Sequence, residues 1–129
     1  MTKENDAELT KIADESYNWV KRNLDFYRIG ESTIEVETPL IDAFGQKIYC
    51  FIEKLDDGYR VSDDGWLMYK LDPNQEDEDF YEAAVDVAVG SGFDFDEEIN
   101  EIFQDVDSED LPLMLNNLAQ LEVAISYLR

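Results

Sequence analysis

The chain has no histidine, and acids dominate its titratable side chains, with 32 aspartates and glutamates against 10 lysines and arginines. Without imidazole there is no ordinary general base near neutral pH, no Ser/His or Cys/His nucleophile pair, and no common nitrogen ligand for zinc. Carboxylate chemistry remains. Asp42, Asp63 and Asp64 could meet at one end of a sheet, where carboxylates and carbonyls suit calcium or magnesium, and a metal-dependent enzyme is one reading of them. The stretch Ser62-Asp63-Asp64-Gly65 has a simpler use, in which Ser62 or Asp63 accepts backbone N–H groups to close a turn. A nuclease built on acidic metal ligands wants an Asp followed by Glu-x-Lys on a strand. Asp42 is followed instead by Glu53-Lys54, whose side chains point to opposite faces of a strand and do not converge on one ion. Asp94, Asp96 and Glu98 have the spacing that opens a calcium loop, but Ile99 stands where that loop has glycine. No glycine-rich phosphate loop occurs. These residues predict no metal, no cofactor and no catalytic group.

The elements that must carry the acids follow from periodicity. Leu9, Ile12, Ala13, Ser16, Trp19, Val20 and Leu24 recur at helical spacing, with charged residues on the other face, and predict an amphipathic helix ending near Asn23. Ile34 and Val36 alternate with Glu35 and Glu37 as in a half-buried strand, which Thr38-Pro39 is expected to end because proline cannot donate to a ladder. A strand from Gln46 to Glu53, the turn Asp56-Asp57-Gly58 and the returning Tyr59 to Ser62 predict a hairpin. Trp66 to Leu71 is long enough for only a short helical piece. From Glu78 to Val89, Phe80, Ala84, Val87 and Ala88 share one arc of a helix, and Asp79, Glu82 and Asp86 gather on the opposite face. Phe93 to Asp96 alternates like a strand, and Ile99 to Val106 fits either a second short strand or a helix, with a hairpin preferred. The last helix has Asp107-Ser108 as cap candidates, Pro112 in its first turn, and Leu111, Met114, Leu115, Leu118, Leu121, Ile125 and Leu128 as its core stripe. Its reverse face carries Leu113, Asn116, Gln120, Val123 and Tyr127, with Glu122 the only charge between Asp110 and Arg129. Burial on most sides is one account of that uncharged face. Self-association through Leu113, Val123 and Tyr127, giving a homodimer, is the other.

These patterns give an α+β fold: a small antiparallel sheet packed by N- and C-terminal helices, with an acidic helical segment, in a single domain spanning residues 1–129. No apolar run approaches the ~20 residues that cross a bilayer, and Met1 to Asp6 lacks a signal-peptide pattern, so a cytoplasmic protein is expected. The lone Cys50, between Tyr49 and Phe51, reads as a packed thiol.

The segment Thr38-Pro39-Leu40-Ile41-Asp42, the hairpin after it, and Val61-Ser62-Asp63-Asp64-Gly65 followed by Trp66 and Leu71 resemble the bacterial and phage family known as domain of unknown function 1828. The entry Asp110-Leu111-Pro112 into a leucine-rich helix is similar to that family's ending. The resemblance covers about Ser16 to Leu128 and implies an α+β domain often encoded by phage or mobile elements. It brings no activity with it.

Charge carries the functional expectation. The net charge is −22, and between Leu71 and Leu128 there are seventeen acids and no base. About 2 to 8 charges keep a small domain soluble, and a larger excess costs stability by self-repulsion. Naked nucleic acid and anionic membranes would be repelled. The expected partner is a basic nucleic-acid-binding protein of the nuclease class. The acids would imitate DNA in its channel, as for an inhibitor of a host defence nuclease such as a CRISPR effector. The contact residues would be Glu76, Asp77, Glu78, Asp79, Glu82 and Asp86, with Asp94, Asp96, Glu97 and Glu98. A bland interaction domain of a toxin–antitoxin system is the third reading.

Overall fold

The computed structural model describes residues 6–129; residues 1–5, including most of the segment that lacks a signal-peptide pattern, lie outside it. In chain order the elements are α1 (Ala7–Arg22), β1 (Asp25–Arg28), β2 (Thr33–Ile41), β3 (Lys47–Lys54), β4 (Tyr59–Ser62), α2 (Trp66–Leu71), α3 (Glu78–Gly90), β5 (Asp94–Asp96), β6 (Glu101–Val106) and α4 (Leu111–Ser126). The strands pair antiparallel throughout in one six-stranded sheet of order β1-β2-β3-β4-β6-β5. This is the expected α+β architecture, with the terminal helices flanking the sheet.

Period-two alternation decides which face is buried. Val36, Cys50, Ile52, Val61 and Ile102 point to one face, where α4 lies across β2, β3, β4 and β6, and α3 packs against β5 and α4. Leu118, Leu121 and Ile125 of α4, and Phe80, Ala84 and Ala88 of α3, complete that core. The cross-strand partners Glu35, Phe51, Ser62 and Phe103 share the other face. The hairpin between β3 and β4 closes at Gly58, where φ is +98° and an added Cβ would stand 2.5 Å from the Val106 carbonyl oxygen. Only glycine fits that approach.

Several expectations need correction. Pro39 does not end β2, which continues to Ile41; the register shifts between Glu37 and Ile41, so the missing N–H falls where the ladder is already interrupted. There the Thr38 hydroxyl donates to the Ile48 carbonyl (2.8 Å) and accepts from the Leu40 amide (3.2 Å). Strand β1, absent from the sequence reading, pairs with β2 from Asp25 opposite Glu37 to Arg28 opposite Ile34. The N-cap of α4 is Asp110, without a side-chain cap bond, and not Asp107 or Ser108. Glu122 lies in the core, not on an outer face. Residues 94–106 form the preferred hairpin, β5 with β6. Helix α1 has the predicted span, yet it buries none of its residues.

Candidate functional site

Two features stand out: an acidic flank on α3 and the β5–β6 tip, and a groove where the sheet opens.

On the flank, α3 starts at Asp77, whose carboxylate accepts the Phe80 amide (3.0 Å) and pairs with Arg129 (3.0 Å). Asp77 is thus a structural cap as well as an acid, and Arg129 is committed further by donating to the Leu71 carbonyl (2.8 Å). Glu76, Glu78, Asp79, Glu82 and Asp86 are exposed, and none has an ion-pair partner among the described residues. Tyr81 ties the helix to the hairpin. Its ring meets Phe95 edge-on at 5.7 Å and its hydroxyl donates to Asn100 (3.2 Å). Burial and then the Glu97 charge raise the Tyr81 pKa, which places Glu97 in the field of that residue. Asp94, Glu97 and Glu98 are exposed at this tip with no ion-pair partner among the described residues, and half-buried Asp96 accepts the Glu98 amide (2.9 Å) to close the turn. The structure therefore brings the two predicted acid groups onto adjoining elements. The base nearest this half in the sheet, Arg60, is occupied by a two-pronged pair with Asp105 (2.7 and 3.1 Å) and stacks over Phe103 at 4.1 Å.

The groove was not foreseen. Strand β4 pairs with β3 only over Phe51–Lys54, so Lys47 to Cys50 have no strand on that side and a gap opens between β3 and α2. A cavity of about 730 Å³ fills it, walled by Tyr49, Phe51, Trp66 and Lys70, with Glu122 of α4 reaching it from the core side. Glu122 is 2% exposed. Its Oε2 accepts the Cys50 thiol (3.2 Å); Oε1 has no hydrogen-bond partner among the described residues and is not sealed from solvent. Burial, reinforced by the Asp63 charge, raises the Glu122 pKa well above the carboxylate range. Burial likewise raises the Cys50 pKa, as expected of a packed thiol. A carboxyl that keeps its proton here can donate a hydrogen bond to a neutral acceptor in the groove. One charged residue in an otherwise uncharged helix was the only sequence signal for it.

The proposed metal ligands do not converge. Asp42 Oδ1 accepts the Phe44 (2.8 Å) and Gln46 (3.0 Å) amides of its own turn. Asp63, 1% exposed, accepts three amides, from Ile102 (2.8 Å), Gly65 (3.0 Å) and Leu67 (3.2 Å). Burial lifts its pKa to about 6 against those three donors, which favour the charged form. Asp64 is exposed, and Ser62 donates to Glu101 (2.6 Å) while accepting the Asp64 amide (2.8 Å). Among the described residues no three His, Cys, Asp or Glu side chains form a group that could hold a metal ion. The turn reading of Ser62 to Gly65 is the one this geometry supports. On α4, Leu113 is 60% and Tyr127 71% exposed, while Val123 packs against the core, so the three do not make one free surface.

The sequence profile described as Domain of unknown function DUF1828 matches residues 38–125, which takes in the end of the bulged strand, the Asp63 turn, the acidic flank and most of α4. The chain belongs to this family. The DUF1828 match leaves α1 and β1 outside it. No curated protein and no solved structure matches the chain. Among the described residues no helix is long and apolar enough to cross a membrane.

Proposed function

We propose that this protein is an acidic inhibitor or regulator that binds a basic nucleic-acid-binding protein by presenting a DNA-like surface, and that it turns over no substrate. The observation that carries the reading is the set of exposed carboxylates on α3 and the β5–β6 tip that have no basic partner within the described chain. Asp79, Glu82 and Asp86 recur along the helix at rises of about 4.5 and 6 Å. A DNA strand presents a phosphate every ~3.4 Å of rise, so the helix offers a comparable, sparser row of negative charge. A nuclease that holds its duplex in a positively charged channel, as CRISPR effectors do, is the target class that suits such a row, and a phage or mobile element in a host cytoplasm is the setting that suits such an inhibitor.

The test is retention of nucleic-acid-binding proteins from a bacterial lysate on the immobilised protein, with duplex DNA as competitor. Asp79→Lys, Glu82→Lys and Asp86→Lys together should weaken binding more than about tenfold, chiefly through slower association. Reversal of Glu31, Asp56 and Glu109, which changes net charge equally, should do little. Equal effects of the two triple variants, or retention that DNA does not compete, would refute a localised mimic.

A further inference from the structure

Helix α1 is the other surface without a partner among the described residues. Its apolar arc of Leu9, Ile12, Ala13, Ser16, Trp19 and Val20 is left unburied, with Ile12 58% and Trp19 50% exposed. An isolated helix of this length is marginal in water, and most helical stability in proteins comes from covering such an arc. The element after it continues the patch, because β1 is an edge strand whose Phe26 is exposed and shares a cavity with Val20 of α1. Beside the root of α1, Val20, Leu24, Phe26, Leu40, Leu111 and Leu115 line an apolar cavity of about 310 Å³.

The charge pattern says what covers this face. From Asp6 to Ile29 five acids meet four bases, so this stretch is close to neutral in a chain of −22 and is a surface on which two copies repel little. Along α1 the charges are segregated: Asp6 and Glu8 at the start, Lys21 and Arg22 in the last turn. Two α1 helices laid antiparallel about a two-fold axis place each acidic start against the other's basic end. The same arrangement sets the apolar arcs face to face and brings Leu9 of the second copy near Val20 and the cavity beside it. Glu8 and Arg22 lie on the same flank of the arc, and like flanks meet across an antiparallel pair.

We propose that the protein forms a homodimer through antiparallel α1–α1 packing extended by Phe26. This interface is independent of the acidic flank, which stays free on both copies, and it moves self-association from α4 to α1.

Sedimentation equilibrium of the full chain at about 0.15 M salt tests it. The wild type should dimerise. Ile12→Glu, which alters a side chain exposed in the single chain, should weaken the dimer more than about 100-fold because the two-fold axis applies the change twice. Leu113→Glu on α4 should leave it intact. Glu8→Arg and Arg22→Glu should each weaken association, and the double variant should restore it, which a response to net charge alone would not give. In parallel, Trp19 emission, read in a Trp66→Phe background, should shift to the blue on dimerisation. A wild type that stays monomeric at every accessible concentration overturns the proposal. So does a dimer that survives Ile12→Glu, one that Leu113→Glu dissociates, or a double charge swap that fails to restore association.

Discussion

At the scale of single residues, the two raised carboxylates set a pH dependence of the opposite sign to ordinary acid lability. Burial raises the Glu122 pKa well above its unfolded value of 4.5 and lifts that of Asp63 from 3.8 to about 6. Each therefore takes up a proton on folding at pH values between its unfolded and folded pKa. Their stability contribution is fully present below the unfolded values and declines as pH rises through the folded ones, by roughly 3 kcal/mol for Asp63. Exposed acids repelling one another change stability in the same direction. Denaturant midpoints should accordingly be higher at pH 5 than at pH 8. Glu122→Gln, which keeps the shape and removes the proton uptake, should raise the midpoint at pH 8 and change it little at pH 5. An equal effect at pH 5 and pH 8 would show that Glu122 stays charged in the folded protein across this range.

At the scale of elements, the turn after β4 does more than reverse the chain. Asp63 holds the amides of Gly65 and Leu67 at the start of α2, and that of Ile102 on β6, so one carboxylate joins three elements. Asp63→Ala leaves three buried donors without their acceptor and should cost about 3 kcal/mol or more, with Asp63→Asn milder, as read by urea denaturation. The Ser62-Asp63-Asp64-Gly65 pattern is thereby explained as architecture. Its turn chemistry was legible in the sequence, because Asp before Gly with a serine ahead is what backbone capping needs. The third amide was not legible, since it comes from a strand thirty-nine residues further along the chain. Likewise the β2 bulge at Pro39 hid behind a rule that is correct for uninterrupted ladders.

At the scale of the whole molecule, the two proposed surfaces answer oppositely to salt. The acidic flank attracts a cationic partner, and that attraction fades as the Debye length falls from ~10 Å at 0.1 M to ~3 Å at 1 M salt. Dimerisation brings together two chains of −22 each through a nearly neutral face, so salt screens their mutual repulsion and should tighten the dimer. Measured over 0.1 to 1 M salt, partner affinity should fall while the dimer constant rises. A parallel trend in both would mean that they share one surface.

By itself the sequence determined the α+β class, most helix boundaries, the β3–β4 hairpin, the packed thiol and the location of the acids, because each follows from short-range periodicity, turn chemistry or composition. The adjacency of α3 to the β5–β6 tip came only from the tertiary structure, through the contact of Tyr81 with Phe95 and Asn100. So did the groove, which exists because β4 is four residues shorter than the strand beside it. Glu122 could be placed only once α4 was seen lying across β3, since a helical wheel gives a residue's angle but not the direction from which the core approaches. The same reason hid the vacancy on α1. Amphipathicity fixed which face of the helix seeks cover, and only the tertiary arrangement showed that nothing among the described residues supplies that cover.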